Sequence, residues 1–274
     1  MSSEGVSKRS IIVAGNCQAS VIRQSLLESP ELSDEFDIVY FRNFRKKKDL
    51  TVLTPEEMQR CAVLIEQIAH DQPELPNKEH VPSDCRIIKF PILWMNSLWP
   101  TAIEDPRNKP TPKNPAGPFP YGDRLVLDLL DEGLGPDEIV TRYMATDIAK
   151  YLDLERFHQI NLNKALILDD RADIKFGAYV LDHFNVERLF YTRNHFTMGM
   201  LRYVCDVMFE QLGVRPPKSD LVAVSGGMGH MHIPIHPSIA DFFKLEWYDP
   251  DADYRYNSEN LKITEYIRRY AALE

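Results

Sequence analysis

Apolar residues in the first third of the chain fall in short unbroken runs. Ser10-Ile11-Ile12-Val13-Ala14 is closed by Gly15, and Phe36-Asp37-Ile38-Val39-Tyr40-Phe41, Ala62-Val63-Leu64-Ile65-Glu66-Gln67 and Cys85-Arg86-Ile87-Ile88-Lys89-Phe90 follow. Runs of this length, bounded by polar or turn residues, predict buried strands of a parallel sheet. Between them the period lengthens. Val21, Ile22, Leu26 and Leu27 share one face of a helix from about Gln18 to Ser29, and Thr54 before Pro55 marks the start of a helix reaching Cys61. Strand, helix, strand, helix, strand is the grammar of a doubly wound α/β layer.

From Pro91 to Pro120 proline is too dense for regular structure, and Trp94 and Trp99 give the segment a binding or packing role. Residues 122–185 have helical spacing, with Leu125, Leu127, Leu129 and Leu130 early and Pro136 opening a second helix. Glu187-Arg188-Leu189-Phe190-Tyr191-Thr192 predicts a late strand that rejoins the sheet, and a helix follows from about Phe196 to Leu212. Short helices are expected at Ser238–Leu245 and Ile263–Ala272. The expected architecture is a single α/β domain over 1–274, with a central, mostly parallel, doubly wound sheet, a lid-like loop at 91–121 and a helical insertion at 122–185.

Composition narrows the function classes. With 44% hydrophobic and 27% charged residues, the chain can bury a core. Lys+Arg 32 against Asp+Glu 41 leaves a net charge of -9, which argues against nucleic-acid or membrane-surface binding and leaves room only for a local anion site. The N-terminal residues lack a signal-like apolar core, and no apolar run has membrane-spanning length. The expectation is a cytoplasmic protein, not integral to a membrane, whose four cysteines, Cys17, Cys61, Cys85 and Cys205, are reduced. A homo-oligomer is left open.

In a parallel sheet the C-terminal strand ends share the ligand-binding edge. Here those ends read Gly15-Asn16-Cys17-Gln18, Arg42-Asn43, Glu66-Gln67 with His70 behind, Lys89-Phe90-Pro91, and Arg193-Asn194-His195 after the late strand. Gly15 permits a tight turn with φ > 0. Cys17 then sits at a helix N-terminus, where dipole and free N–H groups favour a thiolate and can hold an oxyanion. A strand-to-helix turn presenting a nucleophile is the expected geometry, with Cys17 in place of a serine. The blander reading makes Cys17 a small buried hydrophobe. A thiolate nucleophile calls for a histidine, and His195, on the same expected edge, is the candidate base, with His70 its rival. Glu66 is the candidate third group. Gly15, Asn16, Gln18, Gln67, Lys89, Arg193, Asn194 and His70 are candidate substrate or cofactor contacts. Cys61, Cys85 and Cys205 lie in apolar segments expected to protect them, leaving Cys17 the one strongly reactive thiol.

Val13-Ala14-Gly15-Asn16-Cys17-Gln18, Leu64-Ile65-Glu66-Gln67, Lys89-Phe90-Pro91 and Phe190-Tyr191-Thr192-Arg193-Asn194-His195-Phe196-Thr197 together resemble the WcbI family of polysaccharide-biosynthesis proteins. Pro234–Tyr254, with His236-Pro237 and Trp247, is similar too, so the likeness extends from about residue 10 to 272. Where family members often carry proline after the Asn-His pair, this chain has Phe196. The resemblance implies an acetyltransferase that uses coenzyme A or acetyl-coenzyme A as co-substrate in capsule-sugar modification, with Cys17 as nucleophile. Its expected partners are a small-molecule acyl donor and a sugar acceptor.

Arg42, Arg45, Lys46, Lys47 and Lys48 form a basic cluster suited to phosphates, and Ser225–Gly229 is a glycine-rich loop without the spacing of a phosphate-binding fingerprint. His230, His232 and His236 match no zinc signature, and no metal is expected. Two other functions fit the same residues: a cysteine esterase or hydrolase, in which water replaces the sugar, and a non-catalytic nucleotide-sugar or polysaccharide binding module, in which Cys17 is unreactive.

Overall fold

The computed structural model describes residues 8–42, 53–70, 75–112, 114–217 and 228–274. The chain divides into two compact units, one holding the described residues up to Leu93, Asn163–Val180 and those following from Thr197, the other Trp94–Leu162, Leu181–Phe196 and Met228–Glu274.

The first unit is built on β1 (Ser10–Gly15), α1 (Cys17–Leu27), α2 (Pro30–Glu35), β2 (Asp37–Arg42), α3 (Pro55–Gln59), β3 (Cys61–Ile68) and β4 (Arg86–Pro91). The four strands form one parallel sheet in the order β2-β1-β3-β4. β1 is buried at every position, as its unbroken apolar run requires. Ile12, Ala14, Phe41, Met58, Cys61 and Leu64 pack as one cluster between the sheet and α3. The Thr54 capping box, with Pro55 in the first turn, starts α3 where the sequence placed it.

The second unit begins with the proline-rich stretch, which is pinned rather than loose. Trp99 is buried and its Nε1 donates to the Pro234 carbonyl at 3.0 Å. β5 (Ala102–Ile103) pairs antiparallel with β6 (Gly122–Asp123), and α4 (Arg124–Asp131) and α5 (Pro136–Ala145) follow. Within α6 (Leu154–Asp169) the chain passes to the first unit, and within α7 (Phe176–His183) it returns. After β7 (Phe190–Thr192) and β8 (His195–Phe196), α8 (Met198–Leu212) belongs to the first unit, where the Cys205 thiol lies 3.3 Å from the Ser25 hydroxyl of α1. α9 (Pro237–Phe243), β9 (Tyr254–Tyr256), β10 (Glu259–Leu261) and α10 (Ile263–Ala271) complete the second unit. Its core joins Val126 and Leu129 of α4, Ile139 and Tyr143 of α5, and Tyr266 and Tyr270 of α10.

One expected element is corrected. The late strand does not rejoin the parallel sheet: among the described residues β7 pairs only with β8, antiparallel, in a two-stranded hairpin. The Arg193-Asn194 turn folds the chain back at once, and the Thr192 hydroxyl accepts the His195 N–H at 3.1 Å. The carbonyls of Tyr191 and Arg193 instead accept the N–H groups of Ile233 and Met95, at 2.9 and 2.8 Å.

Candidate functional site

The strand order reverses beside β1, because the chain leaves β1 outward to β2 and returns on the other side as β3. The crevice at the C-terminal ends of β1 and β3 is where open α/β sheets bind ligands. The Gly15–Gln18 turn fills that position. Gly15 is needed there for space rather than for φ, since its φ is not positive. A Cβ on Gly15 would stand 2.7 Å from the Ala19 Cβ and 2.8 Å from the Gln67 Cβ, so no side chain fits. Asn16 caps α1, its Oδ1 accepting the Gln18 N–H at 2.8 Å, and the Tyr40 hydroxyl from β2 donates to the Asn16 carbonyl at 2.9 Å.

Gln18 and Gln67 are completely buried. Gln67 Oε1 accepts the Asn16 N–H at 2.9 Å, and its Nε2 donates to Gln18 Oε1 at 2.7 Å. Gln18 in turn accepts the Leu93 N–H at 3.0 Å and donates to the Leu93 carbonyl at 2.6 Å. The two amides tie the ends of β1 and β3 to Leu93, two residues past β4. They were expected to touch ligand; their polar atoms are engaged in holding the Cys17 turn. Replacing Gln67 by Leu strips the Asn16 N–H and one Gln18 contact of their partner. At about 1–3 kcal/mol for each of the two orphaned buried groups, Gln67→Leu should lower unfolding stability by roughly 2–6 kcal/mol. Urea melts check this, and a variant within about 0.5 kcal/mol of wild type would reduce the network to incidental contacts.

Cys17 is the first residue of α1 and half-buried. The N–H groups of Cys17 and Gln18 and the charge of Arg42 all favour its thiolate, as the sequence suggested. Burial outweighs them, so the thiol titrates above its ordinary value. The expectation of a lowered pKa is thereby corrected: the helix N-terminus is present, but the sulfur has lost too much water for it to dominate.

Around this turn, Glu66 is buried with its carboxylate 2.7 Å from Lys78 Nζ. Lys89 stands opposite Glu66 in the β3–β4 register, and its backbone N–H donates to Asp173 at 2.6 Å. His70 is exposed, its Nε2 3.1 Å from the Lys164 carbonyl. Arg42 ends β2; Asn43, Arg45, Lys46, Lys47 and Lys48 lie outside the described residues, as do Ser225, Gly226 and Gly227.

Arg193, Asn194 and His195 belong to the second unit, whereas Gly15–Gln18, Glu66, Gln67, His70 and Lys89 belong to the first. Asn194 Oδ1 accepts the Tyr121 hydroxyl at 3.0 Å, and Thr192 Oγ1 lies 3.2 Å from both of those oxygens. The Arg193 guanidinium stands 5.2 Å from the Trp94 ring centre and 5.9 Å from that of Tyr121. Burial, then the charge of His230, pushes His195 down to about 4, so its ring is neutral at neutral pH. His195 Nδ1 is buried and has no hydrogen-bond partner among the described residues. His232 is likewise held near about 4, mainly by burial, and stacks on Tyr191 at 4.1 Å. His236 caps α9, with Nε2 2.8 Å from the Tyr143 carbonyl. Among the described residues, no three His, Cys, Asp or Glu side chains are grouped to hold a metal ion.

Sequence reasoning missed Tyr40, Tyr121 and Thr192. Tyr40 was findable, because it lies near the C-terminal end of the strand neighbouring β1. Tyr121 gave no signal, being 71 residues from the Thr192 hydroxyl it meets.

No curated protein matches the chain. A solved structure matches with TM-score 0.76 and 15% identity, covering 97% of this chain and 89% of that one. It is described as WcbI, a novel polysaccharide biosynthesis enzyme, in its native form without a disulfide bond between coenzyme A and one of its cysteines. At this identity the likeness bears on the fold, which agrees with the doubly wound α/β architecture. No helix among the described residues is long and apolar enough to cross a membrane. The family model for the polysaccharide biosynthesis enzyme WcbI matches residues 10–217, most of the length, and the chain belongs to that family.

Proposed function

We propose that this protein transfers an acyl group, acetyl in the simplest case, from a coenzyme A thioester to a sugar hydroxyl in polysaccharide biosynthesis, through Cys17. The observation that carries this reading is the Cys17 turn. A half-buried thiol stands at the sheet's switch point, on the first residue of α1, where the backbone N–H groups of Cys17 and Gln18 favour its thiolate. The family assignment and the coenzyme A named for the structural neighbour supply the donor class.

In this scheme the Cys17 sulfur attacks the thioester carbonyl and forms a new C–S bond. The bond to the coenzyme A sulfur breaks, and that sulfur leaves as a thiolate and takes up the proton that the Cys17 thiol gives up. The backbone N–H groups at the start of α1 stabilise the developing oxyanion. In the second half-reaction the sugar hydroxyl attacks the carbonyl of the Cys17 thioester, its proton passing to His195; the ester C–O bond forms, the C–S bond breaks, and Cys17 leaves as the thiolate, which takes the proton back from His195. We carry His195 forward as that base because its ring is neutral and its Nδ1 has no partner among the described residues. The raised Cys17 pKa keeps the resting thiol protonated, so the nucleophile is generated only when donor is bound and the proton has an acceptor.

Oxidised coenzyme A provides the test. Incubated with folded protein, it should form a mixed disulfide on the peptide carrying Cys17, competed away by reduced coenzyme A. Cys17→Ser should not form it. Modification spread equally over Cys17 and Cys85, with no competition, would remove the donor site from Cys17.

A further inference from the structure

The remaining thiols in the first unit are not equivalent. Cys61 opens β3 and is completely buried, among Ile12, Phe41 and Met58. Cys85 immediately precedes β4, the parallel neighbour of β3, and is half-exposed. Their sulfurs are 3.6 Å apart. Both lie at the N-terminal edge of the sheet, the opposite end from Cys17. The Arg9 guanidinium lies over this edge, donating to the Cys61 carbonyl at 3.2 Å and pairing with Asp84 at 2.9 Å.

We propose that Cys61 and Cys85 form an oxidisable dithiol that closes to a disulfide when the protein meets a hydroperoxide, and that Cys85 is the attacking thiol. Closure from 3.6 Å to a bond of about 2.05 Å requires the sulfurs to approach by about 1.5 Å. Electrostatics assigns the roles consistently. The contact between the two sulfurs holds Cys85 below the ordinary thiol range, and the same contact, with burial, raises Cys61. A thiolate that is both partly exposed and beside a second thiol is the arrangement that oxidises reversibly. Cys205 is different: burial pushes it up to about 11, and its neighbour is the Ser25 hydroxyl.

The chemistry balances in two steps. The Cys85 thiolate attacks one peroxide oxygen; an S–O bond forms, the O–O bond breaks, and hydroxide leaves to become water. The Cys61 sulfur then attacks the Cys85 sulfenic acid. The S–S bond forms, the S–O bond breaks, and the departing hydroxide leaves as water with the Cys61 proton. Two thiols and one peroxide give one disulfide and two waters, the two sulfurs supplying the two electrons.

The test uses the full chain, folded, with equimolar hydrogen peroxide near neutral pH. Remaining thiols are blocked, the protein is denatured and cut with trypsin, and linked peptides are mapped. The expected product lacks two hydrogens and joins Cys61–Lys78 to Glu79–Arg86. Cys85→Ser should abolish this product, Cys17→Ser should leave it unchanged, and Cys61→Ala should leave a Cys85 sulfenic acid that dimedone traps. Wild-type mapping stands by itself if a substitution at the buried Cys61 fails to fold. The proposal is overturned if the folded wild type gives no such link, if the link involves Cys17 or Cys205, or if it forms only after denaturation.

Discussion

Cys17→Ser is expected to remove acyl transfer while leaving the fold in place. A serine hydroxyl fits the space of the thiol, but it has no accessible anion and the structure supplies it no separate activating base within the Gly15–Gln18 turn. Loss of a nucleophile that acts as one unit with its base costs on the order of 10⁴-fold or more in turnover. Acetyl-coenzyme A turnover, together with intact-protein mass after a rapid quench, reads this directly. Wild type should carry one acetyl group on Cys17 and the variant none. A variant that keeps more than about a tenth of the activity would mean direct transfer without an enzyme thioester. The pH behaviour follows from the shifted thiol. Because burial raises Cys17 above the ordinary thiol pKa of about 8.5, its alkylation by iodoacetamide in the free protein should be slow at neutral pH and climb on the alkaline side. Cys85, held below that range by its contact with the Cys61 thiol, should label first. The expectation that Cys17 alone would be reactive is therefore replaced by an order in which Cys85 leads.

His195→Ala should lower turnover by about 10²–10⁴-fold, the usual contribution of a general base, with His70→Ala close to wild type. His70 is exposed and meets the Lys164 carbonyl, whereas His195 is held in β8 with its backbone N–H fixed by Thr192. The acid limb of kcat/KM in wild type should fall near pH 4 rather than near the ordinary histidine value, because burial holds the ring at about 4. The same shift predicts an acid weakness in stability. The unfolded chain binds its proton near pH 6.5 and the folded one only near about 4. The stability contributed by burying the neutral ring is therefore present above about 6.5 and lost as pH falls toward 4. Stability measured across that window should drop less steeply in His195→Ala than in wild type. His232, shifted the same way, keeps part of the drop in both. A dead His70→Ala beside an active, folded His195→Ala would move the base to the loop after β3.

The parallel sheet was legible because four short apolar runs admit few other readings, and their limits fall within a residue or so of β1 to β4. Phe190-Tyr191-Thr192 was read correctly as extended, but an apolar run does not encode its partner, and a turn two residues long settled the pairing. Cys17 could be placed at a helix start from Gly15-Asn16 alone. Its protonation could not, since the thiol pKa is decided by the water lost on burial, which the turn's own residues do not set. The glutamines mark the same limit. A polar residue at a strand end is equally consistent with holding a ligand or holding the chain, and Gln18 and Gln67 resolve that choice only by meeting across 49 positions.

The discontinuity of the first unit bears on how the chain is made. Its four strands are complete by Pro91, yet α8, which meets α1 through Cys205 and Ser25, ends only at Leu212. At about 5–20 residues per second, a ribosome needs on the order of ten seconds to cover that interval. Throughout that time a finished sheet waits with part of its apolar covering still unsynthesised. Nascent chains stalled near residue 93 should be the most dependent on chaperones, and this sensitivity should disappear once α8 has emerged.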